Sequence, residues 1–414
     1  MTFSSLSRRR LLQSAAGAAA AASTLRRAAA ADAPIRIGHQ CDLTGALAST
    51  GYWRKKATDA AVKLLNDNGG IAGRQIELVT VDTETKVDVG VLRLRQLLQD
   101  RNVDFVIGSQ NGGIAISSNP ICKELGTLCL SMSRTDDVTG SAGNPFIFRL
   151  IVNTALTAAA SGSWMIDNTG HKWTTLFADY VWGQSNRDSW QKQVANKKGE
   201  VLNAIAMPVN TSDPLPYISK LDRSADAVFA AVLGPDMPRV LLALHQLGFA
   251  KKAILTADSA LGNSDLLALK GQVDGVWGMD SLPWELADKD TPAIRAFRTA
   301  IGVDEHGREV GTNRICGVGE VWPAWSNLGV LKQTIEGSGW KTKADTPALI
   351  KYAEAHPDYA EGPWFPQGPL MVRPEDHQAF GEYYLFRVEN GGYRVKHKLP
   401  KEAGLYPAVT NVRL

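Results

Sequence analysis

The chain has 414 residues, with 45 Lys+Arg against 42 Asp+Glu and 44% hydrophobic residues. That balance is ordinary for a globular protein and argues against long disorder, and the length suggests two or three domains. The formal charge of +3 does not belong to the body. Residues 1–31 hold five arginines, no lysine and no acid, and without them 40 basic residues face 42 acidic ones, a net of −2. A nucleic-acid-binding surface needs a basic patch that survives this subtraction, and the basic runs elsewhere are short, so no nucleic-acid partner is expected.

The first 31 residues read as an address. Ser7-Arg8-Arg9-Arg10-Leu11-Leu12 precedes an alanine-rich stretch to Ala22, and four alanines stand just before Asp32. A charged start, a short apolar run and small residues at the end fit an export signal. The paired arginines ahead of two leucines resemble a twin-arginine signal, which exports folded proteins to the periplasm. An amphipathic helix kept in place is the alternative. No later run of about 18 apolar residues follows, so a soluble mature chain is expected. The four cysteines, Cys41, Cys122, Cys129 and Cys316, allow three full pairings. A local Cys122–Cys129 disulfide and buried free thiols both stay open for an exported protein. Neither the cysteines nor the histidines have zinc spacing. G-x-G-x-x-G, P-loop, G-x-S-x-G and H-E-x-x-H patterns are missing, so no cofactor is expected and a dispersed catalytic triad is the remaining enzyme reading.

In chain order, a strand is predicted at 35–38. A helix follows over 52–66, with Ala57, Ala60, Ala61, Leu64 and Leu65 at helical spacing and Asn68-Gly69-Gly70 as its stop. A strand at 75–81 and a helix at 90–100 come next. The run 103–108 is almost continuously apolar, as in a sheet covered on both faces. A helix at 114–125 and a strand at 128–130 complete the first block. The second block repeats the rhythm: strand 173–178, helix 185–197, strand 201–208, a helix opening at 216–221, buried strand 227–232, helix 237–248 and strand 253–256. Later come helices at 321–336 and 346–354, and an antiparallel pair at 380–388 and 393–398 around Asn390-Gly391-Gly392. Two alternating blocks predict two α/β lobes with mainly parallel sheets.

The segments Asp42-Leu43-Thr44-Gly45-Ala46-Leu47-Ala48-Ser49-Thr50-Gly51 and Asn66-Asp67-Asn68-Gly69-Gly70-Ile71-Ala72-Gly73-Arg74-Gln75-Ile76-Glu77-Leu78 resemble a known family. So do Asp179-Tyr180-Val181-Trp182-Gly183, Ala225-Asp226-Ala227-Val228 and, late in the chain, Gly368-Pro369-Leu370 and Arg373-Pro374-Glu375-Asp376-His377-Gln378. Their order and spacing are similar to periplasmic substrate-binding proteins of ABC transporters, leucine/isoleucine/valine-binding type. The resemblance implies two Rossmann-like lobes joined by a three-stranded hinge, with lobe 1 at 32–152 plus 284–368 and lobe 2 at 153–283 plus 369–414. It implies a monomer that closes on a small ligand and delivers it to an ABC permease. A ligand sensor built on the same clamp is the alternative role.

The resemblance also places ligand contacts. Open α/β sheets bind ligands beyond the carboxyl ends of their strands. After the strand at 103–108, Asn111 and Gly112 open a helix whose N–H groups suit a carboxylate. Amino-acid binders commonly have serine at the position of Gly112, so a hydroxyl is missing here, and a glycine connection needed only for the turn is the alternative. In the next loop Ser133 offers backbone and Thr135 its hydroxyl. Arg134 suits an anionic ligand or a surface salt bridge with Asp136 or Asp137. Trp182 would wall the ligand from lobe 2, unless it is a core residue, and Tyr52 is a further aromatic wall. Amino-acid binders carry an acid near Ser259 for the ligand ammonium; Asp258 or Asp236 would have to replace it. A branched-chain or other amino acid is the family default, with aromatic or aliphatic carboxylates, then amides or urea, as rivals.

Overall fold

The computed structural model describes residues 33–414 except 235, 258–260, 262–268, 270, 283, 285–289 and 313, and for Val318 and Glu320 the backbone alone. The proposed signal at 1–31 lies outside the described residues.

The first sheet is all parallel, in the order β2-β1-β3-β4-β5, from β1 (Ile35–Cys41), β2 (Ile76–Asp82), β3 (Phe105–Ile107), β4 (Leu128–Leu130) and β5 (Ile147–Phe148). Successive residues of a strand point to opposite faces, and here both faces are buried. Ile35, Ile37, Phe105, Ile107, Leu128, Leu130 and Phe148 face one core. Val106, Cys129 and Ile147 face the other. The first core is closed by α1 (Ala48–Asp67) and by three helices from late in the chain, α8 (Pro292–Ile301), α9 (Val318–Ser338) and α10 (Thr346–Ala355). On the other face lie α2 (Val87–Arg95) and α3 (Gly112–Glu124).

The second sheet has seven strands in the order β15-β14-β10-β9-β8-β6-β7. Its parallel part is β6 (Lys172–Ala178), β7 (Glu200–Met207), β8 (Ala227–Ala231), β9 (Ala253–Thr256) and β10 (Trp277–Asp280). An antiparallel hairpin, β14 (Tyr383–Glu389) and β15 (Gly392–Leu399), is added at the edge, turning at Asn390-Gly391 with both residues at positive φ. Around this sheet pack α4 (Thr154–Thr169), α5 (Val181–Asn196) and α7 (Met237–Gln246). The helix expected over 216–221 is only the single turn α6 (Leu215–Ile218), which follows Pro214 and carries Pro216 near its start.

The chain passes from the first core to the second between Leu150 and Ile151, returns between Met279 and Leu282, and leaves again between Ala379 and Phe380. The outer two crossings touch. Arg149 pairs in parallel with Gln378: the Arg149 N–H donates to His377 O at 3.0 Å and the Ala379 N–H to Arg149 O at 2.9 Å. A small antiparallel sheet, β11 (Asp358–Tyr359), β12 (Leu370–Val372) and β13 (Ala379–Phe380), leads into the last crossing. The segment after β15 runs back over the hinge, where Thr410 and Leu414 bond to Thr139 and Glu354 of the first lobe. Cys41, Cys122, Cys129 and Cys316 are all buried thiols, outside any disulfide among the described residues. A hydrogen bond to Cys122, together with burial, pushes the Cys129 thiol up, so the sulfurs pack as small apolar groups.

Candidate functional site

On lobe 1 the site is built from the loops at the carboxyl ends of β1, β3 and β4. The buried carboxylate of Asp42 is their anchor. It accepts from the Ser109 hydroxyl at 2.8 and 3.0 Å, from the Gln110 N–H at 3.0 Å and from the Thr83 hydroxyl. The backbone beside it is equally fixed: a Cβ at Gly51 would lie 1.9 Å from the Asp42 carbonyl oxygen, so only glycine fits there. Sequence reading placed Asp42 in a family fragment but gave it no role; an acid just beyond the strand predicted at 35–38 was the available signal.

With the β3 loop pinned, Asn111 caps α3, its side chain accepting from the Ile114 N–H at 3.2 Å while its own N–H donates to the Ser109 hydroxyl at 3.0 Å. The first N–H groups of a helix have no partner within it, and those of Gly112 and Gly113 stand at this start. Thr135 closes on them from the β4 loop. A Cβ built on Gly112 would lie 2.2 Å from the Thr135 hydroxyl. That hydroxyl is buried and has no hydrogen-bond partner among the described residues. A buried hydroxyl without a partner is costly, and here it sits at the positive end of a 13-residue helix. The arrangement suits an anionic oxygen.

The rest of the β4 loop is held by its backbone. Ser133 is fully buried and its hydroxyl accepts from the Thr135 N–H at 3.3 Å. The carbonyls of Ser133 and Thr135 accept from the buried guanidinium of Arg149. Arg134 is no surface residue: it is 5% exposed and donates to the Gly319 carbonyl at 2.9 Å, which overturns the surface salt bridge with Asp136 or Asp137. Asp136 instead reaches lobe 2, with its carboxylate accepting from the Ala155 N–H at 2.8 Å and the Ser189 hydroxyl at 2.5 Å, and its N–H donating to the Ser185 hydroxyl at 3.1 Å.

Those serines lie on α5, whose first turn carries Trp182. Trp182 is half-buried, packs on the second core, and its ring lies 5.9 Å from that of Tyr180. A Cβ at Gly183 would meet the Ala178 carbonyl oxygen at 1.9 Å, so the turn from β6 into α5 requires glycine. Helix α5 therefore brings Trp182 and the Thr135 loop into one neighbourhood through Ser185 and Ser189.

Of the other sequence-proposed residues, Asp236 and Tyr52 are held by partners of their own. Both carboxylate oxygens of the buried Asp236 have partners within lobe 2, the Asn210 N–H at 2.9 Å and Arg239 at 2.6 Å. Asp258 and Ser259 lie outside the described residues. Tyr52, in the second turn of α1, donates its hydroxyl to Glu309, and the Arg314 guanidinium lies 4.5 Å from its ring centre. Tyr52 thus clamps the 303–315 segment onto α1. Burial works against ionisation of Glu309, but hydrogen bonds from Lys56, Thr312 and Tyr52 hold its pKa down at about 2. Trp53 and Trp284 are likewise tied down, donating to the carbonyls of Ile315 and Cys316 at 3.0 and 2.7 Å.

Two α/β lobes with mainly parallel sheets and three crossings define the type I periplasmic binding fold. The chain belongs to the periplasmic binding protein family, whose profile matches residues 34–393. Leu/Ile/Val-binding protein homolog 3 of Brucella melitensis is 28% identical over 246 residues, 58% of this chain and 65% of that protein, just under two thirds of its length. A periplasmic binding protein from Burkholderia mallei superposes with a TM-score of 0.76 at 19% identity, over 92% of this chain and 98% of that one. An ABC-transporter solute binding protein from R. palustris, in complex with benzoate, gives 0.73 at 19% identity over 89% and 97%.

Proposed function

We propose that this protein captures a small carboxylate-bearing solute between its lobes and hands it to an ABC permease, as a non-catalytic periplasmic component exported by its twin-arginine-like signal. The observation that carries the reading is the unpartnered, buried Thr135 hydroxyl at the start of α3. The ligand carboxylate would take one oxygen to that hydroxyl and to the N–H groups at Gly112, with Asn111 and Ser133 holding the loops and Trp182 covering the ligand from lobe 2. The lobes we assign, acting as a monomer, follow the division 32–152 plus 284–368 and 153–283 plus 369–414, with one revision: Leu370 and Val372 pack on the first core, which supports moving the last boundary from 368 to about residue 379.

Within carboxylates, an aromatic or aliphatic acid without an ammonium group is the better fit, because Asp236 already spends both oxygens inside lobe 2. The benzoate complex of the R. palustris protein is consistent with this preference. The name of the Brucella relative favours the second reading, a branched-chain amino acid, for which Asp258 is the remaining ammonium partner. Calorimetry with benzoate, 4-methylpentanoate and leucine separates the readings. Tighter binding of the acids than of leucine supports the first; leucine binding lost in Asp258→Ala establishes the second; and no binding of any carboxylate by ligand-stripped protein sinks both.

A further inference from the structure

Arg149 sits in the first crossing, fully buried, and among the described residues it has no carboxylate as a hydrogen-bond acceptor. Its Nε donates to the Gln378 side chain at 2.5 Å in the third crossing. One terminal nitrogen donates to the carbonyls of Ser133, at 3.3 Å, and Thr135; the other donates to the Thr139 hydroxyl at 2.5 Å. Burial lowers its pKa, while Tyr406, Asp136 and Asp376 nearby favour the charge. A buried cation is usually offset by an ion pair, whereas the hydrogen bonds that the three nitrogens of Arg149 make among the described residues go to four neutral acceptors.

The geometry suggests what it does instead. A peptide unit is planar, so fixing a carbonyl fixes the N–H on its far side. By holding Ser133 O, Arg149 orients the Arg134 N–H. By holding Thr135 O, it orients the Asp136 N–H, which donates to Ser185 on lobe 2 at 3.1 Å. One rigid plane thus grips two peptides of the Thr135 loop, one side chain of the third crossing and, through its own backbone, the first crossing.

We propose that Arg149 is a positioning residue that couples the Thr135 loop to the hinge, so that ligand capture and lobe movement are set by the same guanidinium. The ligand part rests on reading that loop as the carboxylate wall; the coupling itself does not. A lysine cannot replace the fork, because a point charge on a flexible stem does not hold two carbonyls and Gln378 at once.

The test is hydrogen–deuterium exchange of the ligand-free protein, comparing wild type, Arg149→Lys, Gln378→Met and a control, Ile335→Val, in the first core. Gln378 bonds to the Arg149 side chain and to the carbonyls of Ile151 and Ala379, not to the Thr135 loop. Faster exchange of amides 131–136 in Gln378→Met therefore reports transmission through Arg149, and serves if Arg149→Lys fails to fold. We expect amides 131–136 to exchange about tenfold faster in both variants and to be unchanged in the control. Unchanged exchange there in both variants overturns the proposal, as does a rise matched by the control. Calorimetry with benzoate and leucine is the second readout. Where wild type binds a probe, Arg149→Lys should bind it about tenfold more weakly, and wild-type affinity in that variant overturns the positioning role. If wild type binds neither probe, the ligand reading fails and the exchange comparison alone decides the coupling.

Discussion

Replacing Thr135 by valine removes one oxygen and keeps the shape of the side chain. In the ligand-free protein that oxygen is buried without a partner beside Gly112. An unsatisfied buried hydroxyl costs about 1–3 kcal/mol, so Thr135→Val should not destabilise the empty protein and should stabilise it by about 1 kcal/mol. For a protein of this size that is a rise of roughly 2 °C in Tm. Binding should move the other way. A hydrogen bond to a charged oxygen is worth about 1.5–3 kcal/mol, which is roughly a 10- to 150-fold loss in affinity for a carboxylate. Thermal unfolding of ligand-stripped protein and calorimetry with benzoate measure the two effects on one sample. A hydroxyl that merely packs would give the opposite pattern, with a lower Tm and unchanged affinity, and that result would refute the assignment.

Gly112→Ser introduces a Cβ 2.2 Å from the Thr135 hydroxyl; it should cost about 1–3 kcal/mol by overpacking, and Thr135→Ala in the same chain should recover most of it in a double-mutant cycle. Asp42→Asn turns an acceptor of three donors into an amide, and urea denaturation should show a loss of about 2 kcal/mol, with weaker benzoate binding because the α3 start loosens. The Glu309 carboxyl titrates at about 2 in the folded protein against an ordinary 4.5. Its contribution is therefore complete above about pH 4.5 and is lost as the pH falls towards 2, so the stability gap between wild type and Glu309→Gln should close across that window. His39 is pushed down to about 3, by burial first and then by Lys55 and Arg54. The unfolded chain takes up that proton first, so stability should begin to fall just below pH 6.5, and His39→Asn should flatten the slope between pH 6.5 and 3.

The parallel sheets were legible because their strands are buried on both faces and read as apolar runs, as at 103–108 and 227–232, and the late hairpin announced itself by Asn390-Gly391. Other elements carried little signal. Helix α4 is made of small residues such as Ala158, Ala160, Ser161 and Gly162, which blur a 3.6-residue apolar period. The sheet at the last crossing is built from strands of two and three residues, too short to show alternation. At the site, Thr135 and Gly112 were found through loop position, whereas Arg149 lay inside the apolar run 146–152 and its partners are 10 to 229 residues away. Asp236 read as a free acid although Arg239, three residues on, takes one of its oxygens; the N–H of Asn210, 26 residues away, takes the other and leaves no local signal. Long-range pairing of polar atoms is what a single sequence hides most completely.

The most direct test of the carboxylate reading is native mass spectrometry of the mature protein purified without denaturation, followed by release and identification of whatever it carries. The account predicts one small carboxylate per chain, displaced by excess benzoate and retained poorly by Thr135→Val. A neutral or cationic solute in the cleft, bound equally well by Thr135→Val, would contradict it.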